Sequence, residues 1–360
     1  MNKELIYIVK TQSLKSDHRV RKELNLLKNN FEKIRVIYSS NDDYDLEFEQ
    51  KKIRLPGGAA HRNLAIRLMG AIYFSLYSFF LLVFSKNNKS IWVCDPILFP
   101  LVYMLAFRGF YVVWDHHELP PGWVLNSKIF RFVFKLSYRS CRVNFHANEA
   151  RKNYLENILN IESNNSYVLR NYPSYNDFSS EYSDIVIPKT KPIAYLQNSL
   201  IKERCGGELC RALIDLGYYI IHAGSSFDQK YMLSYVSERE MQENIQLCGN
   251  LPLSTINTIL SQSDITLIFY RDNSINQKFC EPNRVYQAML LNVKIVAGNN
   301  PTLVEAMDGY ANHVIANTDG HNIIEIKNSI TKAKSIKLEI QEYSKYWEDY
   351  ASLFNDIFCD

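Results

Sequence analysis

Short apolar runs alternate with amphipathic stretches along the first part of the chain. The runs have the length of β-strands and lie at 5–10, 33–39, 90–95, 110–115 and 142–147, while helical patterns lie at 17–30 and 98–109. Short apolar strands separated by helices are typical of a parallel sheet that is covered on both faces. The pattern therefore predicts a first α/β domain over residues 1–172.

The same alternation restarts after a polar segment. Residues 173–191 are rich in Ser, Tyr, Pro and Asp without a sustained period, which predicts a linker. Beyond it, strands are predicted at 192–197, 218–224, 245–250, 265–270 and 293–298, and helices at 206–217, 253–263 and 283–292. We predict a second α/β domain over 192–338, followed by a C-terminal helix within 339–360 that crosses back to the first domain.

Composition excludes several classes of protein. With 47% hydrophobic and 22% charged residues, the chain has enough apolar surface to fold, and its net charge of +3 argues against a nucleic-acid binder. Seven cysteines without CxxC spacing argue against a disulfide framework and a zinc cage. The N-terminus shows no signal-peptide pattern, so a cytoplasmic location is expected.

Two segments raise the question of membrane contact. Residues 68–84, LMGAIYFSLYSFFLLVF, carry no charge and are flanked by Arg62, Arg67, Lys86 and Lys89. A spanning helix needs about 20 apolar residues. We favour a buried helix over a helix at the bilayer surface, and a membrane span least of all. The segment 128–142 interleaves cations with aromatic residues, which suits either an anionic membrane or an ordinary helix that buries its aromatic face.

The stretch EPNRVYQAM places ionisable and polar residues where a helix begins. Pro282 suits the first helical turn, and the free N–H groups of that turn attract anions. The guanidinium of Arg284 adds a permanent charge whose geometry matches phosphate. The stretch predicts a phosphate site, with a capped helix and a surface arginine as the alternative.

Several segments, in order along the chain, resemble the retaining glycosyltransferases of family 4, which have the GT-B fold. The segments 243–270 and 281–298 resemble the family's C-terminal domain, 17–27 its first helix, and VVWDHHELPP its DxHE segment. VLRNYP resembles the NxP motif, and 194–213 the RG loop. The resemblance implies two doubly wound Rossmann-like domains that face each other across a cleft, with ligands at the strand ends.

The resemblance also implies the transfer of a sugar from a nucleotide-diphosphate donor, UDP- or GDP-linked, to an acceptor hydroxyl. No cofactor and no metal are expected, because cationic side chains can neutralise the departing diphosphate. The loop containing Asp43 and Asp45 is interpreted as solvated. The residues assigned to the donor are Lys202, Arg204, Gly249, Asn250, Tyr270, Asn283, Arg284 and Gln287, with Glu281 on the donor sugar.

The acceptor side is assigned to polar residues of the first domain. Four of them, Asp115, His116, His117 and Glu118, follow a predicted strand, and Asp17 and Arg19 lie where the first strand meets the first helix. A neutral imidazole both donates and accepts hydrogen bonds near neutral pH. By the resemblance we name His117 and Glu118, with Glu281, as the catalytic candidates; a metal on the DHHE run is set aside.

The expected function is that of a hexosyltransferase-like enzyme in bacterial surface polysaccharide synthesis, acting on a saccharide or lipid-linked acceptor. It would lie in the cytoplasm, with peripheral contact at the cytoplasmic face of the inner membrane as a further expectation. The chain departs from the family pattern where Gln287 and Phe279 replace acids. Two alternatives therefore stay open: a GT-B epimerase or hydrolase of nucleotide sugars, and an inactive donor-binding scaffold.

Overall fold

The computed structural model describes residues 4–15, 17–56, 58–59, 63–85, 89–178, 187 and 190–358. The chain divides into two compact units, one comprising Met1–Arg170 with Glu348–Asp360 and the other Asn171–Trp347. Arg62, Lys86 and most of the predicted linker lie outside the described residues. Each unit is built on a parallel sheet, so the prediction of two doubly wound α/β domains is confirmed.

The first unit contains a seven-stranded parallel sheet in the order β3-β2-β1-β4-β5-β6-β7. Its central strands are continuous apolar runs because helices cover both faces of the sheet. The five residues from Leu5 to Val9 of β1 are at most 1% exposed. The strands are β1 (Glu4–Lys10), β2 (Lys33–Ser39), β3 (Glu49–Lys52), β4 (Ser90–Cys94), β5 (Tyr111–His116), β6 (Val143–His146) and β7 (Ser166–Val168).

Within the described residues six helices connect these strands, and four of them begin at a side-chain cap. The carboxylate of Asp17 accepts from the amide of Val20 at the start of the first helix, and the Asn63 side chain caps the second. The helices are α1 (His18–Leu27), α2 (Leu64–Leu82), α3 (Phe99–Phe107), α4 (Gly122–Asn126), α5 (Lys128–Ser140) and α6 (Glu149–Leu159).

The second unit contains a six-stranded parallel sheet in the order β10-β9-β8-β11-β12-β13. The order reverses between β8 and β11, as it does between β1 and β4 in the first unit, and such switch points are where open α/β sheets bind ligands. The strands are β8 (Ile193–Gln197), β9 (Tyr219–Ala223), β10 (Ile245–Leu247), β11 (Ile265–Ile268), β12 (Ile295–Ala297) and β13 (His313–Ile315).

Eight helices accompany the second sheet. They are α7 (Gly206–Asp215), α8 (Gln229–Met232), α9 (Glu238–Asn244), α10 (Leu253–Ser261), α11 (Ile275–Lys278), α12 (Asn283–Leu290), α13 (Pro301–Ala306) and α14 (Ile323–Ser335). The predicted strands and helices are recovered with ends that shift by at most three residues. The hydrophobic pattern predicts no strand at β3, β7 or β13, which are edge strands of three or four residues.

The C-terminal segment is less helical than predicted. Only α15 (Ala351–Phe358) and a 3-10 turn (Trp347–Tyr350) are helical, and residues 337–346 are irregular. Tertiary hydrogen bonds hold the irregular part: the Gln341 amide donates to the Asn292 side chain at 2.8 Å. The helix α15 belongs to the first unit, where Phe354 stacks on Trp92 with ring centroids 5.6 Å apart.

The helix α2 corrects the expectation that residues 68–84 form a buried helix. By length and composition Ala65–Leu82 could cross a membrane, and only 33% of that window is buried. Phe74 is buried, whereas Phe80 is 64% exposed. The helix packs on the first unit with one face and leaves most of its large apolar side chains outside.

Candidate functional site

Two arginines converge on one tyrosine at the switch point of the second sheet. Arg284 lies in the first turn of α12, Tyr270 follows β11, and Arg204 lies in the 3-10 turn Lys202–Arg204 that precedes α7. The Arg204 Nη1 donates to the Tyr270 hydroxyl at 2.6 Å, and its Cζ lies 4.1 Å from the ring centroid. The Arg284 Cζ lies 5.5 Å from the same centroid. The fold therefore brings together three residues that are separated in sequence.

Among the residues that the structure describes, no acidic oxygen forms an ion pair with Arg204 or Arg284. Arg284 is only 7% exposed; its Nη1 donates to the Gln197 carbonyl, and its Nε has no partner within the described residues. Burial and the nearby Arg204 lower the pKa of Arg284, although Tyr270 acts in the opposite direction. Buried positive charge without a counter-ion is costly, so this edge of the sheet is suited to binding an anion.

Further buried polar atoms at the same edge have no partner in the described part of the chain. They include the Gln197 Oε1, the Ser199 Oγ, the His222 Nε2 and the Asn283 Oδ1. Burial, with a smaller effect of Arg284, lowers the pKa of His222 to about 4, which keeps the imidazole neutral. Buried polar groups are normally hydrogen-bonded. Their concentration beside the arginines indicates a place where a polar ligand binds.

Two glycines shape the backbone around this edge. A Cβ on Gly206, the first residue of α7, would lie 2.4 Å from the Ser199 carbonyl, so only glycine allows the helix to begin there. Gly249 has φ +64°, and its carbonyl accepts from the amide of Gly224 at 2.6 Å. The predicted Gly249–Asn250 pair thus follows β10 and lies next to the end of β9.

The remaining donor-side candidates lie in or next to α12. Gln287 is 4% exposed and lies one turn after Arg284, on the same helical face. The carboxylate of Glu281 is buried and accepts from the Tyr286 hydroxyl, so it is already engaged within its own segment. Pro282 precedes the helix as its N-cap, with ψ 149°, and is not part of the first turn as predicted. Lys202 is exposed.

The first unit has a cavity of about 230 Å³ at its own switch point. The ends of β1, β4 and β5 contribute its polar lining, together with the cap of α1. Polar residues that line it include Lys10, Asp17, Asp95, His117 and Glu118. The structure therefore brings the predicted residues Asp17, His117 and Glu118 to one cavity.

An ion-pair network lies beneath this cavity. The Arg19 Nη2 donates to the Asp115 Oδ1 at 2.9 Å, and its Nε to the Glu23 Oε1 at 2.8 Å. The His117 Nε2 lies 2.7 Å from the Asp115 Oδ2. Tyr7 donates its hydroxyl to Glu23 at 2.5 Å. Arg19 and Asp115, predicted on the acceptor side, are buried beneath the cavity and hold His117 in place.

Charge in the network fixes the state of His117. Burial disfavours the imidazolium, but Asp115 and Glu23 outweigh this effect and raise the pKa of His117 well above its ordinary value. Burial likewise opposes ionisation of Asp115, yet Arg19 and His117 hold its pKa below the usual range. The His117 ring is therefore a hydrogen-bond donor at neutral pH, instead of the neutral ring that was expected.

His116 does not share the cavity. Successive side chains of a strand point to opposite faces, so His116 points away from Asp115 and His117. Its ring stacks on His146 with centroids 4.8 Å apart and is 1% exposed. Burial lowers the pKa of His116 to about 4. The prediction that it contributes to the acceptor side is wrong.

Four candidate ligand atoms for a metal lie in the same network. They belong to Glu23, Cys94, Asp115 and His117 and lie within 4.8 Å of one another. Both carboxylates already pair with Arg19, and burial raises the pKa of the Cys94 thiol to about 12, which keeps the sulfur protonated. Ion pairing accounts for this arrangement, and a cation would have to compete with Arg19.

Sequence reasoning missed Lys10 and Asp95 in the first unit and Ser199 and His222 in the second. Asp95 directly follows β4 and has φ +86°, a conformation that is rare outside glycine and concentrates at functional sites. Burial raises its pKa to about 6. For Asp95, the signal available in the sequence was its position at the end of a strand. Ser199 and His222 likewise offered only their positions near strand ends.

The sequence matches no known family profile and no curated protein. Solved structures share its fold. Sucrose-phosphate synthase from Thermosynechococcus elongatus has a TM-score of 0.73 at 11% identity, covering 99% of this chain and 98% of that one. An E. coli trehalose-6-phosphate protein bound with UDP-2-fluoro glucose has a TM-score of 0.69 at 11% identity, with 93% and 92% covered.

The glycosyltransferase WaaG, involved in lipopolysaccharide biosynthesis, has a TM-score of 0.64 at 9% identity, with 98% of this chain and 95% of that chain covered. Identities this low establish the fold alone. Because the likeness extends over nearly the full length of both chains, the expected GT-B fold is confirmed.

Proposed function

We propose that the protein is a retaining glycosyltransferase that moves a sugar from a nucleotide-diphosphate donor to a saccharide or lipid-linked acceptor. The observation that carries the proposal is the pair Arg204 and Arg284, held by Tyr270 and lacking a carboxylate partner among the described residues. The pair lies at a sheet switch point, where such folds bind nucleotides. Similarity to a structure bound with UDP-2-fluoro glucose supports a nucleotide-sugar ligand.

The chemistry requires a diphosphate to leave. The bond between the anomeric carbon and the diphosphate oxygen breaks, and its electron pair stays on the phosphate. The acceptor oxygen forms the new bond on the same face of the sugar, and its proton passes to the departing phosphate. Preorganised positive groups stabilise this charge, so Arg204, Arg284 and the exposed Lys202 would act without a metal. Nothing else is required as a cofactor.

The other donor contacts follow from position. Gly249 and Asn250 would offer backbone and amide groups to the base, UDP- or GDP-linked, and Gln287 would bind the ribose through its amide. Asn283 would bind the phosphate through its side-chain N–H, and its Oδ1, which has no partner among the described residues, would accept from a hydroxyl of the donor sugar. Glu281 would have to exchange the Tyr286 hydroxyl for a hydroxyl of the donor sugar. We place the acceptor in the cavity of the first unit, where His117 donates a hydrogen bond and Asp17, Asp95 and Glu118 accept from sugar hydroxyls.

A role in bacterial surface polysaccharide synthesis extends the proposal. This extension is supported by analogy of fold, chiefly the likeness to WaaG. The fold by itself does not define the acceptor. A cytoplasmic enzyme that meets its acceptor at the inner face of the inner membrane fits this role.

The first experiment measures the thermal stability of the purified protein with UDP, GDP and their sugar derivatives, in EDTA and in magnesium. A ligand that binds only the folded state at about a hundred times its Kd stabilises it by about 2.7 kcal/mol. We therefore expect a rise of several degrees with one nucleotide class, equal in EDTA and magnesium. Stabilisation that needs magnesium, or none with any nucleotide, would contradict the proposal.

The second experiment separates transfer from the two rival functions. Donor turnover is followed by product analysis with and without a saccharide acceptor. A new glycoside that appears only with the acceptor supports transfer, with its anomeric configuration showing retention. Free sugar or an epimerised donor without acceptor favours the epimerase or hydrolase, and tight binding without turnover favours the scaffold.

A further inference from the structure

The helix α2 turns its large apolar residues outward and mainly small ones inward. Its inner face contains Gly70, Ala71, Ser75 and Ser78, all buried, with Phe74 and Leu82 among them. Its outer face carries eight exposed large apolar side chains, which we call the outer stripe: Met69, Ile72, Tyr73, Leu76, Tyr77, Phe80, Leu81 and Phe84. An ordinary surface helix has the opposite arrangement.

The outer stripe is continuous and follows the helical repeat. Successive members are separated by three or one residues, which places all eight along one side of the helix and its end. Phe80 is 64% exposed and Phe84 is 93% exposed. Soluble proteins rarely expose many large apolar side chains in one contiguous patch. Such patches mark sites of interaction with proteins or membranes.

Neighbouring helices extend the apolar surface. The Nη2 of Arg108, after α3, donates to the Val83 carbonyl at 3.1 Å, which ties the C-terminal ends of α2 and α3 together. Phe107 is 83% exposed at that end. On α5, which packs against α3, Ile129 and Phe132 are also exposed.

The charges around the outer stripe indicate what kind of partner it binds. No Asp or Glu occurs between Glu49 and Asp95, between Asp95 and Asp115, or between Glu118 and Glu149, so the helices α2, α3 and α5 carry none. These helices and the residue after α3 instead carry Arg67, Arg108, Lys128, Arg131, Lys135 and Arg139. Apolar side chains combined with Lys and Arg are typical of segments that bind anionic bilayers. A second copy of this cationic surface would repel the first.

We propose that α2 and α5 dock the first unit on the surface of an anionic lipid bilayer. The outer stripe enters the boundary between headgroups and acyl chains, and the Lys and Arg side chains contact the headgroups. The helix lies in the plane of the surface instead of spanning it, because Phe74 and Leu82 stay packed within the unit. This inference goes beyond the proposed reaction and holds whichever sugar is transferred.

The docking surface is linked to the cavity of the first unit. The Lys10 Nζ, which lines the cavity, donates to the carbonyl of Ala59 at 2.6 Å, and Ala59 lies five residues before α2 begins. A bilayer under α2 would thus lie near a segment that contacts Lys10, one of the residues that line the cavity. This arrangement suits an acceptor that is itself attached to a lipid.

The test is co-sedimentation of the full chain with vesicles of phosphatidylcholine alone or mixed with phosphatidylglycerol. We expect the protein to pellet with the mixed vesicles and to be released by salt. Leu76→Glu combined with Phe80→Glu should weaken binding on the order of a hundredfold, since two inserted apolar side chains are lost. Lys128→Glu combined with Arg131→Glu should reduce binding about tenfold or more, on the anionic vesicles only.

Ile340→Glu is the matched control, because Ile340 is 88% exposed in the second unit and should leave binding unchanged. The proposal is overturned if the Leu76→Glu/Phe80→Glu variant binds vesicles as tightly as wild type does. A lipid-free dimer that this variant dissociates also overturns it and assigns the stripe to a second copy. The urea-unfolding midpoint of the same variant, followed by circular dichroism, should match wild type; this shows that its fold is intact and does not depend on the fate of the proposed reaction.

Discussion

Arg204 lies over the aromatic ring of Tyr270 and also donates a hydrogen bond to the hydroxyl of that residue, at 2.6 Å. The same ring lies beside Arg284, so one side chain contacts both cations. The face of an aromatic ring attracts cations. Tyr270 therefore offsets part of the repulsion between two guanidinium groups that have no carboxylate partner among the described residues, and it keeps them poised for an anion.

Replacing Arg284 should abolish most nucleotide binding. We expect Arg284→Ala to weaken binding of the nucleoside diphosphate by about 2–5 kcal/mol, the usual cost of removing one member of a buried charge pair. Arg284→Lys should recover only part of it, because an ammonium group lacks the planar fork of the guanidinium. Isothermal titration with UDP and GDP measures both variants.

Arg239→Ala is the matched control, because Arg239 has an 86% exposed side chain and pairs with Glu243 on its own helix. It should bind nucleotide as wild type does. If Arg284→Ala retained wild-type affinity, Arg284 would not belong to the site.

Tyr270→Phe should have a smaller effect on the same binding. The substitution keeps the ring under Arg204 but removes the hydroxyl that accepts its hydrogen bond, so we expect a loss of about 1 kcal/mol in nucleotide affinity. Tyr270→Ala, which removes the ring as well, should cost clearly more. Equal affinities for the Phe and Ala variants would show that the ring does not organise the arginines.

Asp115→Asn should destabilise the first unit. The substitution leaves the buried Arg19 and the partly buried His117 without their main counter-ion, and breaking a buried ion pair costs about 3–5 kcal/mol. Urea unfolding followed by circular dichroism measures the change. Asp43→Asn is the control, since Asp43 is 85% exposed in its pair with Lys52 and should shift the midpoint little. A small effect of Asp115→Asn would mean that the network contributes nothing to stability.

His116 should make stability depend on pH. Its pKa is lowered from 6.5 to about 4 in the folded state, so the unfolded chain binds more protons between these values. Above pH 6.5 the free energy of unfolding keeps its full value as far as His116 is concerned. It decreases as pH falls from 6.5 toward 4, by about 3 kcal/mol. His116→Gln should remove this part of the pH dependence of the free energy of unfolding.

The control for that experiment is His321→Gln, because the His321 side chain is 70% exposed. Its curve of stability against pH should follow wild type. A His116→Gln curve parallel to wild type between pH 4 and 6.5 would show that His116 does not bind a proton on unfolding in that range.

The order of apolar runs was enough to determine the fold class. Strand-forming runs and helices alternate at short range, so the sequence alone predicted two parallel sheets and located most of their strands. It also pointed to Arg204, Tyr270 and Arg284, because each lies in a segment that follows a strand or begins a helix. These are local properties, and local patterns and family resemblance reveal them.

Which side chains meet was decided by tertiary structure. His116 and His117 are adjacent in sequence, yet one stacks in the core and the other lines the cavity, because a strand sends neighbours to opposite faces. Arg19 is satisfied by Asp115, 96 residues away, which no local pattern indicates. The composition of α2 marked it as apolar, but only packing could decide that its large side chains face outward, since burial depends on what the rest of the chain covers.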